Sequence, residues 1–246
     1  MSSFDDLVAE AVSARRVGWD FSFQRGRTAG GDLPWSYVDQ ARSLVAAATS
    51  LLDQDTGGGE ILAGLAPLPP HSVATEPWEP NVPVARERLE PLGVEVRFQP
   101  DRRIPAADGE FDLVLNRHGA INAAELARVL DSGGRFLSQQ VGSRNNSEFN
   151  EFFGVPLDGP STVDQLVDAL ERQGLELIQA EAVGVPFIYL DIAAVVFQLL
   201  TVSWTVPGFT VKRYEQRLRE LDRRIRAEGG FTVHDERYLL EAVKTC

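Results

Sequence analysis

Leu51-Leu52-Asp53-Gln54-Asp55-Thr56-Gly57-Gly58-Gly59-Glu60 is the stretch on which the reading of this chain turns. It reads as the end of a buried strand, a glycine-rich turn and the start of a helix. Consecutive glycines let the backbone enter positive φ and let a ligand approach with no Cβ in the way. The helix expected next, Glu60–Ala66 before Pro67, would aim its free N–H groups and positive dipole end at the turn. A ligand with a negative or polar group is the expected occupant.

Outward from this stretch, strand and helix signals alternate. Strands are expected at Leu51–Gln54, Ser72–Thr75, Val94–Phe98, Phe111–Leu115 and Arg135–Val141, and helices at Asp39–Ser50, Pro83–Leu92 and Ala123–Leu130. This alternation predicts an α/β fold whose parallel sheet is covered on both faces and binds ligands beyond the carboxyl ends of its strands. That edge carries Asp53–Gly59, Glu76, Gln99–Arg103 and Asn116–Gly119.

Downstream the pattern changes. A helix capped by Ser161, a strand at Leu175–Val183 and an apolar helix over Asp191–Trp204 are expected there. A long charged helix follows, with Val211, Tyr214, Leu218, Leu221 and Ile225 on one face, and then a last strand at Tyr238–Val243. Ahead of the sheet, Ser3–Val12 reads as an amphipathic helix, followed by an irregular segment rich in aromatics. The expected organisation is a helical and aromatic cap over residues 1–38 and a ligand-binding domain over 39–246. The latter carries an inserted helical segment at about 186–230.

The bulk numbers narrow the function classes. The net charge of −12 opposes binding to phosphate backbones, so nucleic acid is not expected as a partner. The single cysteine, Cys246, allows no disulfide within the chain, and no basic and apolar leader precedes Asp5 and Asp6. The most apolar stretch, Val185–Val206, contains Pro186, Asp191 and Gln198 and reads as buried helix with its entry loop. A cytoplasmic protein with no membrane contact is expected.

The glycine stretch resembles the first motif of class I S-adenosylmethionine-dependent methyltransferases. Asp53 takes the strand-end acid, and Gly57 and Gly59 take the second and third glycine places, while Asp55 stands at the first. The resemblance runs from about residue 40 to 142. Glu76 matches the acid that ends the family's second strand. Ile104-Pro105 with Asp108-Gly109-Glu110-Phe111-Asp112-Leu113-Val114 is similar to its approach to the fourth strand, and Leu126–Phe136 to its helix before the fifth.

What the resemblance implies is specific. The fold would be Rossmann-like, a mostly parallel seven-stranded sheet with helices on both faces and an antiparallel last strand. The cofactor would be S-adenosyl-L-methionine, held by Asp53, Asp55, Thr56, Gly57, Gly59, Glu76, Asp101, Asn116 and Arg117. Glu76 would accept from the ribose hydroxyls, a charge-assisted pairing. Asp101 would serve the adenine amino group, although it stands one residue off the usual spacing. The reaction would be methyl transfer to a small-molecule acceptor.

His118 follows the fourth strand, and an ordinary imidazole pKa suits it to general-base work; its plainer reading is packing. Trp19, Phe21 and Tyr189 are candidates for walls of an acceptor pocket, with ordinary core as the equal alternative. Three rivals are weaker. A nicotinamide-dinucleotide fingerprint would need glycine at Leu62. An RNA methyltransferase would need a basic surface. A non-catalytic descendant is kept in play by Asp55. No metal is expected, because neither His71 nor His234 belongs to a ligand cluster by spacing.

Overall fold

The computed structural model describes residues 2–16, 20–157 and 162–245. These form two compact units. The first to be described comprises residues 34–142, 162–182 and 237–245.

Its sheet has five parallel strands in the spatial order β4 (Val94–Phe98), β3 (His71–Glu76), β2 (Ser50–Gln54), β5 (Phe111–Arg117) and β6 (Leu130–Val141). β8 (Phe231–Lys244) lies antiparallel to β6, with 135–141 against 237–243, and β7 (Leu175–Tyr189) lies beyond it. The antiparallel last strand is as expected, but the sheet has eight strands among the described residues instead of seven, the added one being the short β1 (Thr28–Gly30) beside β7. Register brings the strand ends level. Gln54 pairs with Asn116, Asn116 with Ser138, and Glu76 with Phe98.

Alternation along the strands builds two apolar layers. Leu51, Ala74, Leu113, Leu115, Leu137 and Leu239 face α2 (Tyr37–Val45) and α4 (Val82–Leu89) through Tyr37, Ala41, Val45, Ala85 and Leu89. Leu52, Val73, Val114, Phe136, Leu240 and Ala242 pack on the other side with α5 (Ala123–Val129) and α7 (Val163–Glu171) through Leu126, Val129, Leu166 and Leu170. Leu51 and Leu52 are both wholly buried, each contributing about 1.5–3 kcal/mol from removal of its side chain from water.

Several boundaries differ from expectation for local reasons. α2 stops at Val45 instead of reaching Ser50, and Asp112 supplies the competing bonds. It accepts from Thr49 N at 2.8 Å, Thr49 Oγ1 at 2.6 Å and Ser50 N at 3.1 Å, which draws Ser50 into β2. α3 (Glu60–Ala63) has only four residues, ending at Gly64. α7 is capped by Thr162, whose Oγ1 accepts from Gln165 N at 3.3 Å while Gln165 Oε1 accepts from Thr162 N at 3.0 Å. Ser161 lies outside the described residues.

The other unit gathers described residues of 1–33, 143–160 and 183–236. At its centre is α8 (Ile192–Thr201), whose residues from Ile192 to Leu199 are all buried, as befits a helix apolar on every side. Val8 and Ala11 of α1 (Phe4–Ser13) share its core with Leu218, Leu221 and Ile225 of α9 (Glu215–Glu228). So do Phe149 and Phe153 of α6 (Ser147–Phe153), a helix that sequence reading missed. β1 (Thr28–Gly30) pairs antiparallel with Phe187–Tyr189 of β7. The aromatic segment and the 183–236 helices thus fall in one unit, across the boundary expected at residue 38.

Candidate active site at the strand ends

The turn after β2 is built from inside outward. Asp53, 8% exposed, accepts from Thr56 Oγ1 at 2.6 Å, and Thr56 N donates to Thr75 O at 2.9 Å. Asp55, Gly57 and Gly59 have φ of 58°, 64° and 79°. Glycine takes this conformation freely and aspartate tolerates it better than most residues. The Arg88 guanidinium bonds Gly58 O and pairs with Glu60, while a Cβ on Gly59 would sit 2.7 Å from Leu89 Cγ. The turn is therefore seated on α4. With one turn of helix behind it, α3 supplies little of the macrodipole expected there.

Three carboxyls converge at this edge. Glu76, the last residue of β3 and 4% exposed, accepts from Trp78 N at 2.8 Å. Asp55 Oδ2 accepts from Ala120 N, also at 2.8 Å. Burial pushes the Asp53 carboxyl up to about 7, with Asp55 adding to the effect and Thr56 opposing it. Burial pushes Asp55 up to about 6, helped by the Glu76 charge and opposed by the Ala120 bond. Glu76 is raised by burial too, against bonds from Trp78, Gly57 and Asn81. Among the described residues no lysine, arginine or histidine pairs with any of the three.

The β5 side is different. Asn116 is wholly buried and structural: its Oδ1 accepts from Gln140 Nε2 and Gly119 N, and its Nδ2 donates to Gln54 O at 3.4 Å. Arg117 and His118 are exposed to solvent. Gln139 stands between His118 and Trp35. Trp35 Nε1, a donor only, meets Gln139 Oε1 at 3.0 Å, so the Gln139 amide nitrogen is the atom 3.3 Å from His118 Nε2. His118 Nε2 therefore accepts and the network assigns the ring proton to Nδ1. Partial desolvation and the charges of Arg117 and Arg237 push the His118 pKa down to about 3. The ring expected to act as a base is a neutral one with its acceptor nitrogen already engaged.

The structure brings Asp53, Asp55, Thr56, Gly57, Gly59, Glu76, Asn116, Arg117 and His118 to one edge of one unit. Asp101 is exposed and turned on its own loop, accepting from Arg103 N at 2.8 Å. The buried acceptor beside it is Gln99 Oε1, which has no partner while its Nε2 donates to Asp101 O at 3.2 Å. Of the expected acceptor-pocket residues, Trp19 lies outside the described residues. Phe21 packs edge-on against Phe197 at 6.4 Å in the other unit. Tyr189 is 1% exposed there, its ring 5.2 Å from both Phe149 and Phe187, so it is core and not an open wall. Gln99 was expected at this edge without a role, while Tyr37 and Gln139 were missed, since a single glutamine or tyrosine carries no spacing signal.

Comparison with known proteins agrees with this geometry. Residues 52–138 match a family described as a methyltransferase domain. No curated protein sequence matches the chain. A provisionally assigned methyltransferase of Bacillus halodurans superposes with a TM-score of 0.59 at 20% identity, over 85% of this chain and 99% of its own. The YcgJ protein of Bacillus subtilis gives 0.58 at 18% identity, over 85% and 98%. A geranyl diphosphate methyltransferase in complex with S-adenosylmethionine gives 0.51 at 14% identity, over 85% of each chain. Residues 52–138 thus match a methyltransferase-domain family, and the sheet built around them shares its fold with these solved structures.

Proposed function

We propose that this edge binds S-adenosyl-L-methionine and directs its methyl group to a small-molecule acceptor. The observation that carries the reading is the convergence of Asp53, Asp55 and Glu76 with no cation among the described residues paired to them. A ligand bearing an ammonium, a sulfonium and a ribose diol supplies what these carboxyls lack. The positive-φ turn at Gly57 and Gly59 removes side chains from its path. Phe98, opposite Glu76, and Trp78 are 37% and 56% exposed, apolar surface suited to a purine.

When bound, the sulfonium is an activated methyl donor, so the chain's own contribution is alignment and charge. Glu76 fixes the ribose, Asp53 and Asp55 favour the cationic end, and Asn116 holds the β5 loop against β2. The acceptor is small, since the net charge of −12 opposes a nucleic acid. Among the described residues no helix is long and apolar enough to cross a membrane. Equilibrium dialysis with radiolabelled S-adenosylmethionine tests the reading: label retained and displaced by S-adenosylhomocysteine supports it, and no retention overturns it.

One observation favours a second reading, a cofactor-binding protein without turnover. Asp55 occupies a glycine place and the acceptor nitrogen of His118 is engaged by Gln139. Retained label with no product from any acceptor tried would favour it.

A further inference from the structure

We propose that a pocket between α5 and the end of α7 binds the phosphoryl group of a small phosphorylated ligand through Arg102 and Arg172. The pocket lies within the unit built on the parallel sheet and has a volume of about 380 Å³. Arg102 lines it from the loop after β4, and Arg172 and Gln173 line it from the end of α7. Asn122 Nδ2 donates to Arg102 O at 3.4 Å, which ties that loop to the start of α5. Asp53, Asp55 and Glu76 take no part in the lining, so the pocket is separate from the carboxyl cluster at the strand ends.

The lining reverses the charge of the chain. Among the described residues no carboxylate lines the pocket, although the chain has 36 acidic residues against 24 basic ones. The carboxyls adjacent in sequence are engaged elsewhere. Asp101 accepts from Arg103 N at 2.8 Å, and Glu125 accepts from Arg128 and from Ile104 N. Asp168 meets Arg172 through its backbone oxygen, which accepts from Nε at 2.9 Å. That bond steadies the guanidinium and leaves its terminal nitrogens for a ligand. A phosphoryl group carries close to two negative charges at neutral pH, which matches the two guanidinium groups in charge and their forks in geometry. Gln173 adds an amide donor. Ile121, Ala124 and Ala169 supply a small apolar wall for the remainder of a phosphate ester. The net charge of −12 does not cancel this locally, because salt screens charges more than about 8 Å away. S-adenosylmethionine carries no phosphoryl group, so the ligand is a second molecule and the pocket does not depend on the methyl-transfer reading.

Calorimetric titration of the full chain at about 0.15 M salt tests the pocket, with phenyl phosphate, inorganic phosphate and benzoate as probes. The native chain should bind phenyl phosphate one to one, at least about tenfold more tightly than benzoate. Arg102→Gln and Arg172→Gln should each weaken it about tenfold. Ala169→Glu keeps both arginines but puts a carboxylate in the wall, and should weaken it as much. Arg103→Gln, next to Arg102 in sequence but outside the lining, should change it by less than about twofold. Phenyl phosphate bound more tightly than inorganic phosphate assigns an ester, and equal affinities assign phosphate itself; either supports the pocket. Failure of the native chain to bind either phosphate probe overturns it, as does benzoate bound as tightly as phenyl phosphate. Equal losses in Arg103→Gln and Arg102→Gln, or unchanged affinity in Arg102→Gln, Arg172→Gln and Ala169→Glu, overturn it as well.

Discussion

Asp55 Oδ2 accepts a 2.8 Å hydrogen bond from the backbone N–H of Ala120, joining the turn after β2 to the loop after β5. The residue at the family's first glycine place is thus a strut between two loops. Gly119 makes room for it: a Cβ there would lie 2.5 Å from both Cβ and Oδ2 of Asp55. Gly119→Ala is expected to destabilise the protein by about 1–3 kcal/mol through overpacking. In an Asp55→Gly background the cost should fall, although Asn116 Nδ2, 2.8 Å from the same point, keeps part of it. Chemical denaturation of the two single variants and the double variant measures this coupling; strict additivity would contradict the strut.

The same strut bears on cofactor affinity. Because the Asp55 carboxylate is anchored on Ala120 instead of projecting freely, Asp55→Gly should bind S-adenosylhomocysteine no more tightly than the native chain. A tighter complex by calorimetry would mean that the carboxylate crowds the ligand.

The raised carboxyls give a signed pH dependence. Asp53 and Asp55, at about 7 and about 6, hold protons in the folded chain that the unfolded chain has lost, so their folded charged forms cost stability once pH rises through these values. His118 works the other way: with its pKa lowered to about 3, it contributes stability above the ordinary imidazole value and loses it as pH falls. The carboxyl contribution is therefore read as a difference. Asp55→Asn should raise the thermal midpoint at pH 8, and the gain should shrink toward about pH 5, where the native carboxyl is protonated. A gain independent of pH would contradict the assignment.

The relay from Trp35 through Gln139 to His118 makes its own prediction. The His118 ring resonances should not titrate between pH 8 and about 5, because the imidazole stays neutral there. Trp35→Phe frees Gln139 Oε1, lets the amide turn over, and should raise the His118 pKa. Titration of His118 near the ordinary imidazole value in the native chain would show that the relay does not fix its tautomer.

Much of this was legible in the residues. Asp53, the glycines and Glu76 announce themselves by spacing, and the alternating elements place them at one sheet edge. Asn116 and Arg117 were legible as positions but not as roles. Wholly buried bonding turns Asn116 into structure. Position alone did not reveal the contact between Gln139 and His118 Nε2, since Gln139 and Trp35 come from β6 and from a loop far away in sequence. Asp101 is exposed and turns on its own loop, accepting from Arg103 N. Tyr189 failed because an aromatic near an apolar helix reads the same in a pocket wall and in a core. α6 was hidden by its Arg-Asn-Asn-Ser entry, with Asn146 in left-handed backbone, although Phe149 and Phe153 keep helical spacing.

The central claim is that Glu76 and the turn after β2 hold S-adenosylmethionine, and its most direct test is calorimetric titration of S-adenosylhomocysteine into the native chain and Glu76→Gln. Glu76→Gln keeps an oxygen for Trp78 N but removes the charge that the ribose hydroxyls would meet. The account predicts one-to-one binding to the native chain, weakened in the variant by about 1.5–3 kcal/mol, or about 10–100-fold. No heat and no thermal shift with the native chain, or equal affinity in Glu76→Gln, would contradict it.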